Sequence, residues 1–200
     1  MIFRIWHSKD KTKRKNILWY KVQYETNAKY REWIRFLQDK WFEIIGIISD
    51  GRQWLLWWFG DIPTQMCIVH QQHLITRYLT KKPRLEPNIE LREIAMDLWK
   101  RTEKTITEWL DNWHTRNINR LYERNINKKC IHTRTIKAYK SLKRNMTYLY
   151  TFEKNPELWL PKTNNSLESI NSHLKTKWSI HRWLREDRKD KFINYYLYTS

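Results

Sequence analysis

Residues 44–51 read IIGIISDG, an almost unbroken β-branched run that ends in a carboxylate and a glycine. Such a run is typical of a strand buried on both faces of a sheet, so we predict a strand over Ile44–Ile48. Asp50, at the end of this strand, then lies where open α/β sheets place their ligand sites. Because Asp-Gly is also an ordinary turn dipeptide, a turn and a functional site are both interpretations of Asp50.

Two strands and a helix are predicted before this run. Ile2–Trp6 and Ile17–Tyr24 read as strands, and the polar, mostly basic segment His7–Asn16 reads as the turn between them. A helix follows from Asn27, because the apolar residues then recur at the helical period. Its predicted apolar face consists of Tyr30, Trp33, Ile34, Leu37 and Trp41.

Beyond Asp50 the chain reads as mostly helical. Gly51–Phe59 predicts a short aromatic helix and Met66–Val69 a second short strand. Pro156 and Pro161 then separate a helical block from two last helices, over Asn164 to about Trp178 and about Glu186 to Tyr198. The block has three stripes at helical spacing: Leu91, Ile94, Ala95 and Leu98; Ile106, Trp109, Leu110 and Trp113; Ile136, Tyr139, Leu142 or Lys143, Met146 and Leu149.

The composition excludes some classes of protein and favours others. Thirteen Trp, three Gly and five Pro among 200 residues exclude a disordered basic tail, and 40% hydrophobic residues suffice for one sizeable core. The longest apolar run, Trp54–Phe59, is far shorter than the roughly 20 residues that span a bilayer, so we expect a cytosolic protein. Lys+Arg 39 against Asp+Glu 21 gives a net charge of +18, which favours nucleic acid as the partner. An anionic membrane surface or a ribosomal neighbour is the alternative.

Cationic side chains recur at helical spacing in two places. The first set follows residue 133, and the second follows the predicted helix start at residue 164. Such stripes suit phosphate backbones and carry no sequence preference, although solvated helix faces have the same pattern. Trp178 and Trp183 lie among the second set, where they either stack on bases or pack in the core. The cations predicted to bind DNA are Arg134, Lys137, Lys140, Arg144, Lys175, Lys177, Arg182 and Arg185.

Cysteine and histidine residues form a candidate zinc set. Cys67 and His70 have the spacing Cys-x2-His, and Cys130 and His132 have the spacing Cys-x-His. Together they supply four soft or borderline ligands, enough for a closed zinc site. The alternative is a buried thiol beside hydrogen-bonded histidines. Two cysteines make no disulfide framework.

The stretch TNNSLE at residues 163–168 opens the first of the two last helices. We predict that Leu167, Ile170, Leu174 and Trp178 form its buried stripe, which leaves Glu168 on a polar face. A Ser or Thr followed by Glu is also a common helix-start pattern. Glu168 is therefore a candidate functional carboxylate or a solvated helix residue.

Taken together, GIISDGR at 46–52, MCIVH at 66–70, a helical insertion and TNNSLESINSHLK at 163–175 resemble a DDE transposase of the Mutator-like superfamily of prokaryotic insertion sequences. The resemblance implies a mixed α/β fold with a ribonuclease-H-like catalytic core. Residues 1–70 then form part of this core, 71–160 form a large all-helical insertion, and the helices of 161–200 complete the core. Asp50 and Glu168 are its implied catalytic residues, and Cys67 and His70 its Cys-x2-His signature.

The implied chemistry is metal-dependent DNA cleavage and strand transfer, with two Mg²⁺ or Mn²⁺ ions about 3.5–4 Å apart. The implied partner is double-stranded DNA, both the transposon ends and the target DNA. The resemblance is also compatible with a homo-oligomer and implies a cytoplasmic, nucleoid-associated location.

The family's first catalytic Asp and its strand have no counterpart here, since Asp10 lies in the predicted turn. We therefore expect a truncated, inactive copy in which Asp50 and Glu168 hold one metal weakly. The alternatives are a non-enzymatic basic DNA-binding protein and a zinc-stabilised interaction module.

Overall fold

The computed structural model describes residues 2–7, 10–19, 24, 26–52, 56, 60, 62–180 and 183–199, with only the backbone described for 2–19 and 186. The chain divides into two compact units. The split unit is drawn from residues 1–42 and 164–200, and the continuous unit from residues 43–163. No helix in the described part of the chain has the length and apolar character needed to cross a bilayer.

The class is mixed α/β and mostly helical, as predicted. The strands are β1 (Ile2–His7), β2 (Asp10–Trp19), β3 (Ile47–Ser49) and β4 (Thr64–Met66). The helices of the described part are α1 (Asn27–Asp39), α2 (Ile68–Leu79), α3 (Glu86–Met96), α4 (Glu103–Leu121), α5 (Thr133–Leu149), α6 (Thr151–Lys154), α7 (Asn165–Ile180) and α8 (Glu186–Thr199). Two 3₁₀ turns, Asp97–Trp99 and Pro156–Leu158, follow α3 and α6.

In the split unit, β1 and β2 pair antiparallel, which confirms the predicted hairpin. The predicted turn over His7–Asn16 is wrong, because β2 already begins at Asp10, opposite His7. The first residues of β2 are polar, so they show no hydrophobic alternation from which a strand could be predicted. Their backbone N–H and C=O groups nevertheless form the hydrogen bonds of a strand like those of any other residue. Residues 20–23 of the predicted second strand lie outside the described residues, and its predicted last residue, Tyr24, lies in a bend and is 72% exposed.

Helix α1 begins at the predicted residue, where the Thr26 hydroxyl caps it by accepting a hydrogen bond from the Lys29 N–H at 3.4 Å. Trp33, Ile34 and Leu37 are buried. The prediction for Trp41 is wrong: it lies beyond the end of the helix with a φ of 64° and is 97% exposed.

Helices α7 and α8 of the split unit lie close to the predicted bounds. Their small core joins Ile170 of α7 to Leu197 of α8, with Leu167 and Leu174 packed against it. This packing confirms three of the four residues predicted for the α7 stripe. The fourth, Trp178, is half-buried, and the Lys189 ammonium lies 5.4 Å from the centre of its ring.

In the continuous unit, β3 and β4 pair in parallel, with Ile47 opposite Thr64 and Ser49 opposite Met66. The predicted strand over Ile44–Ile48 is shifted, because pairing starts only at Ile47, and Ile45 is 48% exposed. The prediction of burial on both faces is wrong, since Ile47 and Ile48 are only half-buried. Among the described residues, β4 is the one strand that pairs with β3. The run of isoleucines marks a strand but does not determine its neighbours.

The strand predicted over Met66–Val69 is shifted to Thr64–Met66, because Cys67 is the N-cap of α2 and the helix begins at Ile68. Four helices, α2 to α5, build the core of the continuous unit. Most residues of the three predicted stripes belong to this core, with Leu91, Leu98, Ile106, Leu110, Trp113, Leu142 and Leu149 fully buried. The predicted aromatic helix over Gly51–Phe59 lies largely outside the described residues.

Candidate strand-end site and nucleic-acid interface

Asp50 and Cys67 follow the ends of two neighbouring parallel strands. The ladder of β3 and β4 extends one step beyond Met66, because the Cys67 N–H donates to the Ser49 carbonyl at 2.9 Å. The pairing register therefore places Asp50 beside Cys67 at the carboxyl edge of this sheet. Because β3 ends at Ser49, the predicted location of Asp50 at a strand end is confirmed. Open α/β sheets hold their ligands at this edge.

Gly51 is required by the backbone at this edge. Its φ is +86°, a conformation that residues with a Cβ rarely adopt. A Cβ atom there would also collide with the Cε methyl and the sulfur of Met66 on β4. The sharp turn after β3 thus depends on a glycine that lets the chain pass directly over the neighbouring strand.

The Asp50 carboxylate is held by its own turn. Its Oδ1 accepts the Arg52 N–H at 3.3 Å, and its Oδ2 lies 3.3 Å from the Arg52 Nε. This is the short local pattern of an aspartate turn. The side chain remains 39% exposed, so the carboxylate both stabilises the turn and is accessible to a ligand.

Cys67 and His70 open helix α2 on the same edge. Cys67 is fully buried, and its carbonyl accepts the Gln71 N–H as the first bond of the helix. His70 is half-buried in the first turn, and its ring lies 6.4 Å from that of the exposed His73. The Ile68 N–H donates to the Lys162 carbonyl at 3.1 Å, which fixes residue 162 of the same unit at the start of α2.

The predicted four-ligand zinc set is not brought together. Gln71, one turn beyond Cys67, bonds to Asn145 near the end of α5, whereas Cys130 and His132 immediately precede the start of α5. Twelve residues of helix separate Asn145 from Thr133, a distance of roughly 18 Å. Cys130 instead donates its thiol hydrogen to the Leu121 carbonyl at 3.3 Å, and His132 lies 3.7 Å from Glu123.

The side chains at this edge of the continuous unit do not by themselves fit a magnesium pair. Mg²⁺ prefers oxygen ligands, and Asp50 is the one carboxylate among Asp50, Cys67 and His70. The sulfur and imidazole donors of the other two suit zinc, which takes four ligands in a structural site. Glu168, the second predicted catalytic carboxylate, belongs to the split unit, where it lies in the first turn of α7.

Helix α5 presents the first predicted set of cations on one solvent-facing surface. Arg134, Lys137, Lys140 and Arg144 are all exposed, and their helical angles span about 120°. We call these four residues the α5 cationic face. None of them forms an ion pair with a carboxylate of the described residues. Lys143, which points elsewhere on α5, is bound to Asp111 of α4.

The second set of cations is less uniform. Lys175 and Lys177 are exposed on α7, and the Lys177 ammonium lies 5.3 Å above the ring of Tyr196. Arg185 is exposed and lies 3.3 Å from Asp187. Arg182 lies outside the described residues. Trp183, considered above as a stacking residue, is 76% exposed between the two helices.

Buried polar residues that were not predicted from the sequence hold α5 in place. Gln71, fully buried on α2, accepts a hydrogen bond from the Asn145 amide at 2.8 Å and donates to the Ser141 hydroxyl at 3.3 Å. Gln65 of β4, also fully buried, donates to the Leu149 carbonyl at 2.8 Å. The available signal was the helical spacing of Gln71 within the apolar series Ile68, Ile75 and Leu79.

Comparison of the chain with protein families, with curated proteins and with solved structures finds no match in any of the three.

Proposed function

We propose that this protein binds double-stranded DNA and that the α5 cationic face contacts the phosphate backbone. The observation that carries the proposal is the arrangement of four exposed cations on one helix face, without carboxylate partners among the described residues. Arg134 and Arg144 lie ten residues apart, about 15 Å along the helix. At roughly 3.4 Å of axial rise per nucleotide of one strand, this length matches about four phosphates.

The face is preorganised by the packing on the other side of α5. Ala138, Leu142 and Leu149 are fully buried in the core, and the bonds from Gln71 fix the same helix to α2. Lysine and arginine side chains on such a fixed helix lose only their own rotamer freedom on binding. The net charge of +18 adds long-range attraction to any polyanion.

The experiment measures duplex affinity as a function of salt for Lys137→Ala, Lys140→Ala and the double variant. Each contact with a phosphate contributes about 0.9 to the slope of log affinity against log salt, so the double variant should lose about 1.8. Lys143→Ala is the matched control, because it removes an equal charge from the same helix where that charge is bound to Asp111. Equal slopes in the unmodified protein, the three variants and the control would contradict the proposal.

A second candidate function is supported by the edge where Asp50 lies beside Cys67. With the resemblance described above, it favours a DDE transposase with a ribonuclease-H-like core, for which the resemblance implies Asp50 and Glu168 as ligands of a catalytic Mg²⁺ or Mn²⁺. A bound metal would supply positive charge at the scissile phosphate. The contribution of this chain is to fix Asp50 on the turn after β3.

Titration with Mn²⁺, followed by electron paramagnetic resonance, tests the second candidate. Binding should be lost in Asp50→Asn and in Glu168→Gln, because each removes one carboxylate ligand, and retained in Asp39→Asn, which removes an exposed carboxylate at the end of α1. Binding that survives both substitutions would overturn the metal-site assignment while leaving the DNA-binding proposal intact.

A further inference from the structure

The loop between α4 and α5 is a small, closed hairpin. Arg124 and Cys130 pair antiparallel, the Asn125 N–H donates to the Lys129 carbonyl at 2.9 Å, and the Ile131 N–H donates to the Glu123 carbonyl at 3.1 Å. At the tip, the Lys128 N–H donates to the Asn125 carbonyl at 2.8 Å, and Lys128 has a φ of 58°. Residues 126 and 127 therefore occupy the two central positions of a tight turn.

Side chains fix the hairpin from within and at its base. The Asn125 side-chain oxygen accepts the Lys129 N–H at 2.9 Å, and the Arg124 guanidinium donates to the Lys128 carbonyl at 3.0 Å. The thiol of Cys130 ties the base to Leu121 at the end of α4. Such a turn presents its tip in one conformation, which lowers the entropy lost when the tip binds.

An isoleucine lies at this tip with its whole side chain in solvent. Ile126 is as exposed as in an isolated residue, and it is flanked by two asparagines and by the exposed cations Arg124, Lys128 and Lys129. No carboxylate of the described residues pairs with these three cations. The tip thus combines one rigidly held apolar side chain, amide donors and acceptors, and positive charge on both sides.

We propose that Ile126 is a wedge that inserts between base pairs of duplex DNA while Arg124, Lys128 and Lys129 contact the flanking phosphates. Proteins that kink DNA insert an apolar side chain at a base step and use arginine, lysine or asparagine beside it. The hairpin runs directly into α5, the helix that bears the α5 cationic face. A protein partner fits the tip less well, because stable protein interfaces bury about 800 Å² on each side around an apolar centre.

The inference rests on the proposed DNA binding, and base unstacking tests it separately. The probe is a duplex with 2-aminopurine at a central TA step, since pyrimidine–purine steps are the easiest to unstack. Binding of the unmodified protein should raise the 2-aminopurine fluorescence. Ile126→Ala should lose most of this rise while its salt slope stays unchanged, because no charge is removed. Ile180→Ala, which truncates another exposed isoleucine, should keep the rise.

The outcomes separate the two proposals. If the protein binds the duplex with the expected salt slope but Ile126→Ala raises the fluorescence as much as the unmodified protein, the wedge is wrong and DNA binding stands. If the unmodified protein does not bind the duplex, both proposals fail. Circular dichroism of Ile126→Ala should match that of the unmodified protein, because the side chain makes no core contact.

Discussion

Gly51 shows how one missing side chain shapes the strand-end site. We predict that Gly51→Ala lowers the free energy of unfolding by about 1–3 kcal/mol, because it adds strain at positive φ to a collision with Met66. Urea denaturation measures the change. Gly60→Ala is the matched control, since Gly60 also has a positive φ, of 25°, but no atom of the described residues lies within 4 Å of a Cβ built there. An equal loss in both variants would show that space around Gly51 does not matter.

Tyr150 is a buried tyrosine whose ionisation the fold opposes. Burial raises its pKa above the usual value, with Glu153 and Glu103 adding to the effect, and its hydroxyl donates to the Leu98 carbonyl at 3.1 Å. Because the folded protein keeps this phenol protonated while the unfolded chain ionises near pH 10, stability contributed by Tyr150 is full below that pH and falls above it.

The test compares the free energy of unfolding of Tyr150→Phe and the unmodified protein at about pH 8 and pH 10.5. At pH 8 the variant should be less stable by about 1 kcal/mol, because the Leu98 carbonyl loses its donor. Between the two pH values the variant should lose less stability than the unmodified protein. Tyr195→Phe, at a tyrosine 71% exposed, should follow the unmodified protein. Parallel pH dependence of all three would refute the prediction.

At the scale of elements, the contact between α2 and α5 depends on buried amides. Asn145→Leu should lower the free energy of unfolding by about 1–3 kcal/mol, because the Gln71 carbonyl oxygen is left buried without that donor. Adding Gln71→Leu should recover part of the loss, giving a coupling of about 0.5–3 kcal/mol in a double-mutant cycle. Gln72→Leu, whose amide bonds to Ala95 and Met96 instead, should add to Asn145→Leu without coupling.

The helices were predictable from the sequence and the strands only in part. Apolar residues at helical spacing identify α3, α4 and α5, since a helix buries one face whatever lies opposite. Strand pairing depends on distant segments, so the isoleucines of 44–48 predicted β3 but neither its start nor the incomplete burial of Ile47 and Ile48. For the site, the position of Asp50 at a strand end was predictable. The separation of Cys130 from Cys67 was not, because it follows from how α5 packs.

At the scale of the whole molecule, the net charge of +18 should make stability depend on salt. Like charges repel in the compact state, and salt shortens the range of this repulsion from about 30 Å at 0.01 M to about 8 Å at 0.15 M. The melting temperature should therefore rise with NaCl over this range, by about 2–4 °C for each kcal/mol of repulsion removed.

A variant with alanine at all four residues of the α5 cationic face is the comparison for this prediction. Its melting temperature should rise less with salt, because four charges that repel one another have been removed. Differential scanning calorimetry at each salt concentration gives both values. A rise as large as that of the unmodified protein would show that the repulsion does not originate on α5.

The bonds of β4 also set an order for biosynthesis. Gln65 bonds to the Leu149 carbonyl, 84 positions later, and the Thr64 carbonyl accepts from Thr151, 87 positions later. Closing a loop of this length carries an entropic cost before any contact offsets it, which slows folding. As a nascent chain emerges, β3 and β4 can align early, and the Gln65 amide can already donate to the Met66 carbonyl, yet its bond to Leu149 forms only after the end of α5 leaves the ribosome. The continuous unit should therefore stay open to chaperones until residue 151 is outside the exit tunnel.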